Sequence, residues 1–171
     1  DRGQKQDAQT LGNHHGKIVR VLLDGSPHPD NPFLKRVGAL PEIWSIGHKN
    51  IQGATLTRDG ALWVVEHGPT GGDELNRIEA GKNYGWPIIS HGTEYGGGPI
   101  GAGIRAQAGM EQPVHHWTPA IAPSGVIALQ GDRQGLSWKP GLLVSALRGG
   151  LVRLELEGNR GHDGRPGGSG E

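Results

Sequence analysis

Short apolar runs separated by turn residues extend along most of the chain. No stretch of about a dozen residues combines the i, i+3, i+4 spacing of a helix with few Gly or Pro. The sequence Arg58-Asp59-Gly60 is typical of a tight turn between two paired strands. Seven segments are predicted as strands: Lys17–Leu23, Ala54–Thr57, Ala61–Glu66, Glu74–Glu79, Gly125–Leu129, Leu142–Leu147 and Leu151–Leu156. This pattern predicts an all-β fold of short strands.

A weak internal repeat runs through three of these segments. An apolar-x-Arg-apolar pattern followed by a turn ending in Gly recurs at Arg20, Arg77 and Arg153, at intervals of 57 and 76 residues. A four-stranded propeller blade takes roughly 40–50 residues, and loops lengthen it. The longer interval contains the Gly-rich stretch 92–109, which we interpret as an inserted loop. The repeat alone favours a propeller no more than a sandwich.

Composition narrows the class of protein. The 171 residues include 32 Gly and 12 Pro without a fixed period, together with five Trp, which fits a folded domain or a large part of one. Basic and acidic residues number 17 each, so no net charge attracts nucleic acid or an acidic membrane surface. No apolar run approaches the ~18 residues of a membrane span. The chain has no Cys, which excludes disulfides and thiolate metal sites.

Several short motifs carry no function in this context. The residues 96–101 match GxGxxG, but no strand precedes them and no helix pattern follows, so nucleotide binding is disfavoured. The adjacent pairs His14-His15 and His115-His116 lack the spacing of zinc ligands on one face. No Ser lies in a GxSxG motif, so a hydrolase triad has no local support.

Two polar segments are candidates for a site. In Gly47–Gly53, Lys49 can neutralise a carboxylate and Asn50 offers both donors and acceptors. In Glu66–Glu74, Gly and Pro turn carbonyls outward and two carboxylates follow, a set of hard oxygen ligands that suits Ca²⁺. The alternatives are an ordinary polar turn and an ordinary acidic turn.

Ordered motifs within residues 11–160 resemble the soluble, pyrroloquinoline-quinone (PQQ) dependent glucose/sorbosone dehydrogenase family, in its aldose sugar dehydrogenase branch. The matching strings are Leu40–Ser45, Gly47–Gly53, Leu62–Pro69, Gly71–Asn76, Gly81–Pro87, Gly109–Pro113, Ile121–Gly125 and Leu142–Gly149. Their number and their common order make the resemblance specific.

The resemblance implies a six-bladed β-propeller with PQQ and Ca²⁺ near its central axis, of which this chain would form about three blades. Residues 1–160 would be the partial propeller, and residues 161–171 a flexible tail unlike the family. The implied activity is oxidation of an aldose at the anomeric carbon to a lactone, with hydride transfer to PQQ. The implied location is periplasmic or secreted, although the chain shows no signal peptide. The sugar and the electron acceptor stay open.

The resemblance also assigns site residues. The cofactor would be bound by Lys49, Asn50, His67, Gly68, Pro69, Ala120 and Arg148. Calcium would be held by the carbonyls of Gly68 and Pro69, and a second, structural calcium by Asp73, Glu74 and Tyr84. The family usually has Arg where Lys49 stands, and Lys lacks the bidentate fork that binds a carboxylate.

Two expected features have no counterpart in the sequence: the catalytic His upstream of the first strand, and a downstream pair of cofactor-binding Arg residues. We therefore expect a fragment of an enzyme that is inactive alone. Two alternatives stay open. One is a non-catalytic propeller that serves as a binding module, and the other is a calcium-dependent lactone hydrolase.

Overall fold

The computed structural model describes residues 3–129, 139–157 and 160–163. A short 3₁₀ helix at Lys5–Gln9 precedes the strands. The strands in this part of the chain are β1 (Lys17–Val19), β2 (Ile43–Ile46), β3 (Ile51–Leu56), β4 (Leu62–Glu66), β5 (Asp73–Ile78), β6 (His115–Trp117), β7 (Pro123–Leu129), β8 (Gly141–Ala146), β9 (Gly150–Glu157) and β10 (Arg160–Asp163). The predicted all-β fold is confirmed.

The strands form three antiparallel sheets. β3, β4, β5 and β6 pair in chain order, as do β7, β8, β9 and β10, while β1 pairs with β2. In the first large sheet Ile51 lies opposite Glu66, which lies opposite Glu74. In the second, Pro123 lies opposite Ala146. In each large sheet, the first and third strands therefore begin at the same end of the sheet.

These ends of the two sheets lie at the same end of the molecule. A Cβ placed on Gly53 of β3 would be 2.7 Å from the Cα of Gly125 of β7. Further along, the amide of Ala128 donates to Thr55 Oγ1 at 3.1 Å. Both strands therefore advance in the same direction as they pack together. We call the common end, where β3, β5, β7 and β9 begin, the upper edge.

The main core lies between the two large sheets. It consists of Trp63, Val65, Leu75 and Trp117 from the first sheet and Val126, Leu142, Val144 and Leu154 from the second. On its other face, the first sheet packs Val64 and Ile78 against Ile18 of β1 and Trp44 of β2, together with Tyr84 from the connection after β5. Because both faces of β4 are covered, its side chains form a continuous apolar run rather than an alternating one.

The internal repeat corresponds to a structural position. Arg77 lies in β5 and Arg153 in β9, each the third strand of its sheet. Arg20 directly follows β1. β1 pairs antiparallel with β2, the next strand in the chain, as the third and fourth strands of each large sheet pair with each other. The longer interval does contain a long connection, between Ile78 and His115.

The structure also corrects several strand predictions. β1 ends at Val19 rather than Leu23, because the amide of Leu22 bonds to the carbonyl of Ser26 in a turn. The short strands β2, β6 and β10 were not predicted. β10 ends at Asp163 and so includes the first three residues of the predicted tail, whereas residues 164–171 lie outside the described part.

Gly53 provides a test of the contact between the large sheets. Because an added methyl group would meet backbone atoms of β7, Gly53→Ala is expected to lower the free energy of unfolding by about 1–3 kcal/mol. Denaturant melting measures this, with Gly96→Ala as control, since nothing lies within 4 Å of a Cβ there. Equal stability of the two variants would contradict the close packing.

Candidate functional site

Three connecting loops meet at the upper edge: residues 47–50 before β3, 67–72 between β4 and β5, and 118–122 between β6 and β7. The amide of Lys49 donates to Glu66 Oε2 at 2.7 Å. Asp73 joins the other two loops, since its Oδ1 accepts the amide of Gly68 at 2.9 Å and its Oδ2 that of Ala122 at 2.7 Å. The loops that carry the two candidate segments are therefore in contact.

A cleft of about 400 Å³ opens at this edge. It is lined by Lys5, Lys49, Asn50, Pro69, Trp86, Glu94 and Tyr95. Three of the predicted cofactor-binding residues, Lys49, Asn50 and Pro69, thus line one cleft. The volume lies in the range of small-molecule sites.

Trp86 lines this cleft, and its ring lies close to two cations. The Nζ atoms of Lys5 and Lys49 lie 5.8 and 5.5 Å from its ring centroid. Lys5 also forms an ion pair with Glu94 at 2.5 Å on the rim. Gln9 donates to the carbonyl of Trp86 at 2.6 Å and so fixes its backbone. The indole Nε1 is buried without a hydrogen-bond partner among the described residues.

His67 and Gly68 lie beside the cleft. Lys49 Nζ donates to the carbonyl oxygen of Gly68 at 2.8 Å, so this carbonyl already accepts a positively charged group. His67 Nε2 donates to the carbonyl of Pro123 at 2.8 Å, which joins the 67–72 loop to β7. The carbonyl that the sequence predicts as a calcium ligand at Gly68 is thus hydrogen-bonded to a side chain in this structure.

Ala120 and Arg148 are also at the upper edge, but neither lines the cleft in the described part of the chain. Ala120 is half-buried in the 118–122 loop, and Arg148 is exposed in the turn between β8 and β9. The amide of Arg148 donates to the carbonyl of Ile121 at 2.9 Å, so the turn and the loop are in contact.

Beneath the cleft lies a buried polar network that the sequence did not reveal. Ser45 Oγ lies 2.9 Å from His48 Nε2, and His48 Nδ1 lies 3.0 Å from Glu66 Oε1. The order of groups matches a hydrolase triad, but Ser45 is 0 % exposed, so no substrate reaches it. The ring of His48 also stacks on Tyr84, with centroids 4.7 Å apart. The network is therefore structural support for the loops above it.

Two of the three residues predicted to hold a structural calcium, Asp73 and Tyr84, have backbone partners in this structure. Both oxygens of Asp73 accept backbone amides, and the hydroxyl of Tyr84 donates to the carbonyl of Arg77 at 2.7 Å. Burial, followed by repulsion from Glu66, raises the pKa of Glu74 to about 8. Within residues 3–129 and 139–156, no three His, Asp or Glu side chains cluster closely enough to hold a metal ion.

Comparison with known proteins identifies the family. The model of the glucose/sorbosone dehydrogenase family matches residues 1–165. The chain belongs to this family. It is 42% identical over 150 residues to the aldose sugar dehydrogenase YliI of Escherichia coli, covering 86% of this chain and 40% of that protein.

Solved structures agree with the family assignment. The apo form of the soluble aldose sugar dehydrogenase of Escherichia coli is similar with a TM-score of 0.87 at 37% identity, covering 94% of this chain and 47% of that one. The PQQ-bound aldose sugar dehydrogenase of Streptomyces coelicolor gives a TM-score of 0.67 at 34% identity, covering 95% and 41%.

The glucose/sorbosone dehydrogenase chain described here is thus part of a six-bladed β-propeller, as the resemblance implies. It spans less than half the length of these relatives. No helix among its described residues has the length and apolar character needed to cross a membrane.

Proposed function

We propose that this chain belongs to a PQQ-dependent aldose sugar dehydrogenase and carries part of its cofactor site. The observation that supports this most directly is the upper-edge cleft, where Lys49, Asn50 and Pro69 meet beside the Gly68 carbonyl. The PQQ-bound relative supports the cofactor, and the Escherichia coli relative supports the aldose substrate.

The residues of the cleft fit PQQ, a planar aromatic tricarboxylate. Lys5 and Lys49 supply positive charge for carboxylates, and Asn50 supplies an amide donor. Trp86 offers an apolar surface and an indole N–H without a partner among the described residues. The cleft volume of about 400 Å³ suits a group of this size.

Ca²⁺ would be held by the main-chain carbonyls of Gly68 and Pro69. The carbonyl oxygen of Gly68 accepts the ammonium of Lys49 at 2.8 Å, so Lys49 would release this oxygen when Ca²⁺ binds it. A second calcium at Asp73, Glu74 and Tyr84 is not part of this proposal, because the carboxylate of Asp73 and the hydroxyl of Tyr84 are engaged by the backbone.

PQQ, held by these residues, would supply the hydride acceptor for oxidation of the anomeric carbon of the sugar to a lactone. The residues of this chain bind and orient the reactants. Lys49 binds a carboxylate, Trp86 excludes water from one side, and the Lys5–Glu94 pair borders the entrance. Since no His in the described part lines the cleft, the base that accepts the hydroxyl proton belongs to another part of the enzyme. We also propose a periplasmic or secreted location, in line with the family.

A dye-reduction assay with aldoses, PQQ and Ca²⁺ tests the proposed activity in the intact protein. PQQ-dependent reduction of the dye is the expected result. Opening of a lactone ring without PQQ would instead support the hydrolase alternative. PQQ binding without any oxidation of a sugar would support the binding module.

Lys49 provides a second test of this proposal. Lys49→Ala removes a charged donor to a carboxylate and is expected to weaken PQQ binding about tenfold or more. Lys49→Arg should retain binding, because the guanidinium keeps the charge and adds a second donor. Titration of PQQ absorbance measures the affinity. Lys35→Ala, at an exposed position, is the control, and an equal loss there would contradict the role of Lys49.

A further inference from the structure

Glu66 is a buried residue that directly precedes the predicted cofactor loop His67-Gly68-Pro69 in the sequence. It is the last residue of β4 and is 3 % exposed. A charge at such a position costs free energy unless its oxygens are fully hydrogen-bonded. The donors that surround it therefore show what the carboxylate holds in place.

Four donors divide between its two oxygens. Oε1 is 3.0 Å from His48 Nδ1 and accepts Asn76 Nδ2 at 3.1 Å, both buried groups of the core. Oε2 accepts the main-chain amides of Lys49 at 2.7 Å and Asn50 at 3.4 Å. One oxygen is thus anchored in the core, and the other holds the backbone of two cleft residues.

His48, one of the two groups that bind Glu66 Oε1, is itself held in place by its neighbours. His48 is held on one side by Ser45 Oγ at 2.9 Å and on its face by the stacked ring of Tyr84. The Glu66 carboxylate is thus fixed in an orientation in which Oε2 meets the loop amides.

The position of Lys49 depends on this contact. With its amide fixed by Glu66, the side chain of Lys49 extends to the carbonyl of Gly68, two residues after Glu66 in sequence. Glu66 therefore connects both cofactor-side loops, 47–50 through its side chain and 67–72 through the chain itself.

We propose that Glu66 is a positioning residue, which acts on the cofactor through Lys49 and Asn50 by fixing their main chain at the cleft. This inference rests on the proposed function for the identity of the ligand. Glu66 does not touch the cleft itself, so its effect is indirect.

Glu66→Gln is the matching variant. Its amide keeps the shape but has one acceptor oxygen, so either the loop amides or the core donors face an NH₂ group. We expect PQQ affinity, measured by absorbance titration of the intact protein, to fall roughly tenfold or more. Loss of a group that orients ligand-binding residues typically has an effect of this size. Val144→Ala removes buried core methyl groups away from the cleft and serves as a control for lost stability.

A spectrum of protein labelled with ¹⁵N-lysine provides a readout that needs no cofactor. The Lys49 amide, identified by its absence in Lys49→Arg, is expected far downfield in the wild type because its hydrogen bond to Glu66 Oε2 is short, at 2.7 Å. In Glu66→Gln it is expected upfield of this position. A Lys49 amide at an ordinary shift in the wild type would overturn the proposal, even if the variant failed to fold.

The possible results separate the two proposals. Normal PQQ binding by Glu66→Gln, or an equal loss in Val144→Ala, would overturn the positioning role and leave the proposed function intact. A wild-type protein that binds no PQQ would overturn the proposed function and, with it, the role of Glu66 towards the cofactor.

Discussion

Leu75→Ala is expected to lower the free energy of unfolding by about 3 kcal/mol. Leu75 is fully buried in β5, where it packs between the two large sheets with Trp63, Val65 and Val144. Removing three carbon atoms there loses apolar burial and leaves a cavity lined by both sheets, which cannot easily close. Urea denaturation of the intact protein, followed by Trp fluorescence, measures the change.

The control for this substitution is Leu56→Ala. Leu56 lies in β3 of the same sheet but is 61% exposed, so the same change of side chain is expected to alter stability by no more than about 0.5 kcal/mol. If Leu75→Ala were no less stable than Leu56→Ala, the sheets would not share the core described above.

The sequence predicted strands in most of the two large sheets and missed β2, β6 and β10. β4, β8 and β9 contain runs such as Leu62–Val65, which need no tertiary information to be identified. β6 consists of His115, His116 and Trp117, and its strand geometry comes from pairing with β5. β2 begins two residues after Pro41, and its strand geometry comes from pairing with β1. Such strands depend on their neighbours rather than on local preference.

Part of the candidate site could also be predicted, because some of its residues lie close together in the sequence. Lys49, Asn50 and Pro69 lie in motifs that are contiguous in sequence, and these motifs carried the resemblance. Lys5 and Glu94 are 89 residues apart, and their contact exists only once the 3₁₀ helix packs beside Trp86. The relation of His48 to Glu66 was hidden too, because they are 18 residues apart and their spacing matches no known motif.

Asp73 shows how a residue with a family role can have another function in this fold. The resemblance implies a calcium ligand, yet its oxygens accept the amides of Gly68 and Ala122 at 2.9 and 2.7 Å. Asp73→Ala would leave both amides without their charged acceptor inside the protein. We expect a loss of about 2–4 kcal/mol in the free energy of unfolding, since hydrogen bonds to charged groups are the stronger ones.

Calcium dependence decides between the two roles of Asp73. If the carboxylate joins the 67–72 and 118–122 loops, the loss in Asp73→Ala will be the same in EDTA as in millimolar Ca²⁺, both measured without PQQ. If it binds a structural calcium, the loss will disappear in EDTA, because the wild type is then deprived of the same ion. Asp30→Ala, which removes a carboxylate whose side chain is 81% exposed, controls for the change of charge. A penalty confined to the calcium-loaded protein would thus contradict the backbone role and restore the metal site that the resemblance implies.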